Sequence, residues 1–197
     1  MRGNTVLGGE KRLDARVRAV LDCTEIRISK FKCLKCRILS YSHYKGGHTL
    51  KYMVAVTPAG LISYISAGYG GRASDKKIFE ESRVLNMLEP YLHDIMVDKG
   101  FLIKQSCQDN CIGVIHPPFL RKNTAFSKAD ALATSSIAKA RVHVERVIER
   151  IKKFKILSET LPSTLLPLAD EIMVIACGLT NLANPVLAGD KFIDSHW

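Results

Sequence analysis

The sequence predicts an α/β fold, a mixed sheet with helices packed against it. Three observations carry that expectation. The elements follow in the order strand, hairpin, helix, strand, strand, helices. Two β-rich runs, Thr49 to Val56 and Leu61 to Ser66, are joined by Thr57-Pro58-Ala59-Gly60, which has the chemistry of a turn. A strong 3.6-residue period lies late in the chain, where Ile137, Ala140, Val144, Val147, Ile148, Ile151 and Phe154 form one apolar stripe.

Taken in order, residues 1–15 carry charges and paired glycines without a period, and are expected to be a flexible lead-in. Val17 to Cys23 is a short β-leaning run. Ile26 to Cys36 is basic and reads as a loop. The hairpin follows, and then the glycine-rich loop Gly68-Tyr69-Gly70-Gly71. Ser74-Asp75 offers an N-cap for a helix to about Leu88. Asp94 to Asp98 is a compact strand, and Ile112 to Ile115 is another, stopped by Pro117-Pro118. Ser127 to Ala133 suggests a short helix, and Ser136 to Phe154 the clearest one. Pro162 and Pro167 frame a linker before a last helix, Leu168 to Ala183, which reads as mostly buried. The expected division is a lead-in at 1–16, one domain over 17–187 and a tail over 188–197.

The chain has 197 residues, enough for one well-buried core. Lys and Arg number 29 against 19 for Asp and Glu, a net charge of +10. A field of that sign attracts polyanions, foremost nucleic acid, although it also serves solubility. Met1-Arg2-Gly3-Asn4 leads into polar residues rather than the apolar core of a signal peptide. The longest apolar run, Ile172 to Leu179, is too short to span a bilayer, so no membrane partner is expected. Six cysteines without secretory context point to reduced thiols and a nuclear or cytoplasmic location.

Three carboxylates stand where metal chemistry needs them. Asp22 follows one apolar strand run and Asp98 closes another, and strand ends are where α/β proteins gather ligand sites. Glu145 falls at the border of the late apolar stripe, between Arg141 and Glu149. Three acids brought together repel one another unless a cation neutralises them, and an all-oxygen set favours Mg²⁺ or Mn²⁺ over zinc. A pair of such ions activates water and stabilises the leaving oxygen of a phosphodiester. Each acid also has a plainer role open to it. Asp98-Lys99-Gly100 can be a turn, Asp22 can bond nearby backbone, and Glu145 can pair with Arg141.

The surrounding text adds a resemblance. Leu21-Asp22-Cys23-Thr24-Glu25-Ile26 resembles the first catalytic block of DDE superfamily endonucleases of the Harbinger-like and THAP-associated transposase group. Tyr41-Ser42-His43-Tyr44-Lys45 with Thr49-Leu50-Lys51-Tyr52, and Gly68 to Asp75, resemble the segments that follow. Met96-Val97-Asp98-Lys99-Gly100-Phe101 is similar to the block of the second acid. Pro117-Pro118-Phe119 and Arg141-Val142-His143-Val144-Glu145-Arg146 are similar to the late blocks. The similarity covers roughly residues 17–187, with its motifs in order. It implies a ribonuclease H-like fold, DNA strand cleavage and transfer, a nuclear location, and Asp22, Asp98 and Glu145 as the catalytic, metal-binding triad. Asp75 is similar to a recurrent aspartate outside that triad, and capping its helix is the other role its position allows. Members of the family usually carry a DNA-binding region before the first strand. A separate DNA-binding protein or domain is therefore an expected partner beside DNA, with a homo-oligomer a further one. A derivative that binds DNA or protein without cutting is the alternative reading, and an RNA-processing nuclease a third.

Cys33-Leu34-Lys35-Cys36 with His43 and His48 raises zinc, but six residues separate Cys36 from His43 where a finger has about twelve. Two free thiols in a basic loop are expected instead. Arg27, Lys30, Lys32, Lys35 and Arg37 follow the first acid, and Lys139, Arg141, Arg146, Arg150, Lys152, Lys153 and Lys155 stud the late helix. Such groups either hold phosphates or make a solvated face. His143 points away from Glu145 on a helix and is not expected to act as a base.

Overall fold

The computed structural model describes residues 16–98, 100–116 and 142–183. Its centre is β1 (Val17–Arg27), an 11-residue strand at the heart of a seven-stranded sheet. On one side β1 pairs antiparallel with β3 (Gly47–Val56), from Val20↔Val56 to Arg27↔Thr49. On the other it runs parallel to β6 (Asp94–Val97), which in turn runs parallel to β7 (Gly113–Ile115). The outer edge of β3 is shared by three short antiparallel strands: β2 (Tyr41–Ser42), β5 (Tyr69–Gly70) and β4 (Ile62–Ile65). The mixed sheet and the hairpin are as the sequence predicts.

Strand alternation divides the core in two. Val20, Ile26, Tyr52, Val54 and Met96 face one side, where they meet Val144, Val147 and Ile151. Those three belong to α4, helical through residues 142–152. Leu21, Met53, Ile95 and Val97 face the other side, against Ile78 and Phe79 of α2 (Asp75–Glu81) and Cys107 of α3 (Lys104–Asp109). The expected stripe on α4 is therefore the buried one over its described part. Its Ser136-to-Arg141 portion, the Ser127-to-Ala133 helix, Pro117 to Phe119, the lead-in over 1–15 and the tail lie outside the described residues.

Several elements differ from expectation. β1 continues to Arg27 because β3 pairs it along its whole second half. The basic stretch after it is not all loop, since α1 (Leu34–Ser40) forms there with Cys33 at its N-cap. The helix from Asp75 stops at Glu81, where Arg83 takes a left-handed conformation (φ 57°) and a 3₁₀ turn, Val84–Met87, replaces the rest. After the four-residue helix α5 (Lys155–Ser158), Leu161 joins the end of the sheet through a bridge to Ile28. The last helix, α6 (Ala169–Leu182), is buried along one side only; Val174, Ile175, Leu179 and Leu182 are exposed. Ala169, Met173, Ala176 and Cys177 pack its buried side into the core, and polar groups add to the docking. Asp170 accepts from the Tyr52 hydroxyl at 2.9 Å, and the Asn181 amide brackets the backbone of Ile62.

Candidate active site

Register explains how the first two acids meet. The last parallel pair between β1 and β6 is Leu21↔Val97, so Asp22 and Asp98 are the next residues on adjacent strands. β6 ends at Val97 while β1 continues, and this leaves a notch at the margin of the sheet. Asp22 is thus mid-strand rather than at a strand end, but it is the first residue past the β1–β6 pairing. By alternation it shares a face with Val20, the face that α4 covers. Val144 is 3% exposed and pins α4 onto that face, which brings Glu145 to the notch. Asp22, Asp98 and Glu145, with Val20, Leu21 and Val144, line one cleft of about 30 Å³. Asp22 and Asp98 are partly buried, whereas Glu145 is exposed, further from the core than a border position implies.

The electrostatics of the cleft follow from this crowding. Burial pushes the Asp22 carboxyl up from its ordinary value to about 6, against the hydrogen bond it accepts from the Cys23 N–H at 2.7 Å. Asp75, Asp98 and Glu145 each raise it further by repulsion. Four acids therefore share one neighbourhood. Among the described residues, no three acidic, histidine or cysteine side chains converge closely enough to hold one metal ion. The donor chemistry, all oxygen, suits a hard cation, while the spacing is wider than a single ion's coordination shell.

A second cluster, which the sequence did not reveal, flanks the first. Lys51 on β3 lies opposite Glu25 on β1. Its Nζ reaches Asp75 Oδ1 at 2.7 Å and Glu25 Oε1 at 4.0 Å, and donates to Ala73 O at 3.3 Å. Thr49 Oγ1 donates to Glu25 Oε2 at 2.7 Å. Burial works against the Lys51 ammonium, but Asp75 outweighs it, with Cys23 and Glu25 adding, and its pKa is raised. Asp75 is consequently not the cap of α2. Ser74 caps it, accepting from the Lys77 N–H at 3.2 Å. The signal available in sequence was the spacing Asp22-x-x-Glu25 on a strand, which places the two acids on opposite faces.

Cys33 and Cys36 are free thiols, as expected, but they open α1 rather than sit in a loop. The Cys36 backbone N–H, ahead of its thiol and the Lys35 N–H, lowers the Cys33 thiol. Of the late basic residues, Lys152 on α4 feels the charge of the acids. Burial and then Lys45 disfavour its ammonium, while Asp22 and Glu25 favour it. No helix among the described residues is long and apolar enough to cross a membrane.

No curated protein and no solved structure matches the chain. A family model does, over residues 21–181, a span that begins one residue before Asp22 and includes Asp98 and Glu145. With the match covering most of the chain and all three cleft acids inside it, this protein belongs to the DDE superfamily endonucleases.

Proposed function

We propose that the chain is the catalytic domain of a transposase of the Harbinger-like, THAP-associated group, a divalent-metal-dependent DNA endonuclease spanning about residues 17–187. The observation that carries this reading is the single cleft lined by Asp22, Asp98 and Glu145. Acids on neighbouring parallel strands with a third on the covering helix support a ribonuclease H-like arrangement, as does a central strand antiparallel to one neighbour and parallel to the other.

In this reading Asp22, Asp98 and Glu145 would be the residues to hold Mg²⁺ or Mn²⁺, which would supply Lewis acidity toward water and the leaving oxygen of a phosphodiester. The residues of the chain do the rest. Asp22, kept partly buried and hydrogen-bonded to Cys23, offers a fixed ligand whose charge is costly until neutralised. The Lys51 ammonium neutralises Asp75 and Glu25 beside the site. Lys152 and its basic neighbours on α4 anchor substrate phosphates beside it. DNA as substrate makes the nucleus the proposed compartment, with a separate DNA-binding protein or domain and a homo-oligomer as proposed partners.

Binding without cutting is the second reading, favoured by the spacing of the acids. Nicking of supercoiled plasmid in Mn²⁺ at low salt separates the two. The wild-type chain is expected to nick, and Glu145→Gln to lose at least about a hundred-fold of that rate while still binding DNA. Folded protein that does not nick in either form supports the second reading.

A further inference from the structure

A groove of about 380 Å³ lies beside α1, where His48 pairs with Ile28 just past the Arg27 end of β1. It falls within the size range of small-molecule clefts, about 300–1,000 Å³. Lys30, Arg37 and Arg72 bring three cations to it, and its lining holds no carboxylate. None of the three is in an ion pair with a described acid. Leu34, Ile38 and Tyr41 supply an apolar wall and are 66%, 46% and 38% exposed. Tyr41 is held edge-on between two imidazoles, His43 at 5.3 Å and His48 at 5.6 Å between ring centroids. His48 Nδ1 is in turn hydrogen-bonded to the buried Ser40 hydroxyl at 2.9 Å. One of the two rings beside Tyr41 is thereby fixed in place.

Cations without acids beside exposed rings and aliphatics suit a ligand that is anionic along one edge and flat along the other. A nucleotide has that form, its phosphate going to Lys30, Arg37 and Arg72 and its base to the Tyr41 wall. An acidic peptide would satisfy the cations but leave the aromatic and apolar wall without a partner. Duplex DNA buries its base faces in the stack, so only an unpaired strand can use both halves of the groove. The groove is also linked to the acids. Lys45, two residues beyond His43, disfavours the Lys152 ammonium of α4, which Asp22 in turn favours. From Asp22 to Arg27 is about 17 Å at the rise of a strand, roughly five steps of a stacked nucleic-acid strand.

We propose that this groove binds an unpaired segment of the DNA strand whose scissile phosphate lies at the acidic cleft, holding its backbone with Lys30, Arg37 and Arg72 and stacking a base on Tyr41. The inference rests on DNA being the substrate, and extends that reading to a strand already unpaired near the cut.

The test is fluorescence anisotropy of the full chain in EDTA with labelled dT12, a 12-base-pair duplex and a poly-glutamate of matched charge. The triple variant Lys30→Gln/Arg37→Gln/Arg72→Gln is expected to bind dT12 at least about ten-fold more weakly. Its slope of log affinity against log salt should fall by about 2, which is about 0.7 for each phosphate no longer neutralised. Tyr41→Ala is expected to lose about ten-fold for dT12 with the slope unchanged, and Tyr41→Phe to bind as wild type. The duplex should be affected less by either change. Circular dichroism melts check that each variant is folded. Equal losses for dT12 and duplex, wild-type affinity in the triple variant, or poly-glutamate bound as tightly as dT12 would each overturn the proposal. Plasmid nicking is measured in parallel. If Glu145→Gln abolishes nicking while the triple variant binds and nicks normally, the groove is refuted and the nuclease reading stands. If the groove variants lose dT12 as expected and nothing nicks, the groove stands without the nuclease.

Discussion

Asp22 is the residue on which the proposed chemistry and the stability of this domain pull in opposite directions. Its carboxylate is partly buried among Asp75, Asp98 and Glu145, and its pKa is raised to about 6. A raised carboxyl pKa means that the native state holds the proton more tightly than the unfolded chain. Stability therefore falls as pH rises from about 4 through 6. In EDTA at pH 7.5, Asp22→Asn is expected to stabilise the protein by about 1–2 kcal/mol, measured by urea denaturation. That gain should shrink as the pH drops below 6; a gain independent of pH would dissociate it from the charge. Lys51 is the opposite case. Replacing it with Met leaves Glu25 and Asp75 without their shared partly buried cation, an expected loss of about 2–3 kcal/mol in the same experiment.

At the scale of elements, α4 carries both the core and the site. Ile151 is fully buried in the cluster that also holds Val144, two turns from Glu145. Ile151→Ala is expected to cost about 2–4 kcal/mol and, at a temperature where the variant remains folded, to slow nicking as Glu145 loses its seat. The glycine-rich loop is fixed by a different constraint. A Cβ on Gly71 would collide with Thr49 Oγ1 and lie 3.0 Å from the Ser40 carbonyl, so Gly71→Ala should destabilise the junction of α1, β3 and β5. These elements were unequally legible in the sequence. α4 could be read because its period repeats over several turns. α1 could not: Ser40 is its only buried residue, no acid or side-chain cap marks its start, and Leu34, Ile38 and Leu39 face outward. The early end of α2 was hidden because Leu85 and Leu88 keep the helical spacing while packing from a 3₁₀ turn.

At the scale of the molecule, the net charge of +10 sets how binding responds to salt. Affinity for DNA without metal is expected to fall by at least about a hundred-fold between 50 and 200 mM salt, read by anisotropy. A flat response would mean that the excess cations serve solubility alone. The groove beside α1 draws Arg72 from well outside the Lys30-to-His48 stretch, and only the folded chain brings it to the others.

By itself the sequence determined the α/β class, the hairpin and the buried stripe over the described part of α4, because these depend on local period and turn chemistry. The tertiary structure decided that Asp22 is the first residue past the β1–β6 pairing, that Asp75 pairs with Lys51 rather than capping a helix, and that Cys33 opens a helix. It also decided that α6 leaves one face exposed. The first two depend on which strand lies beside which, and in what register. Register arises from packing between segments far apart in the chain, so no local pattern specifies it.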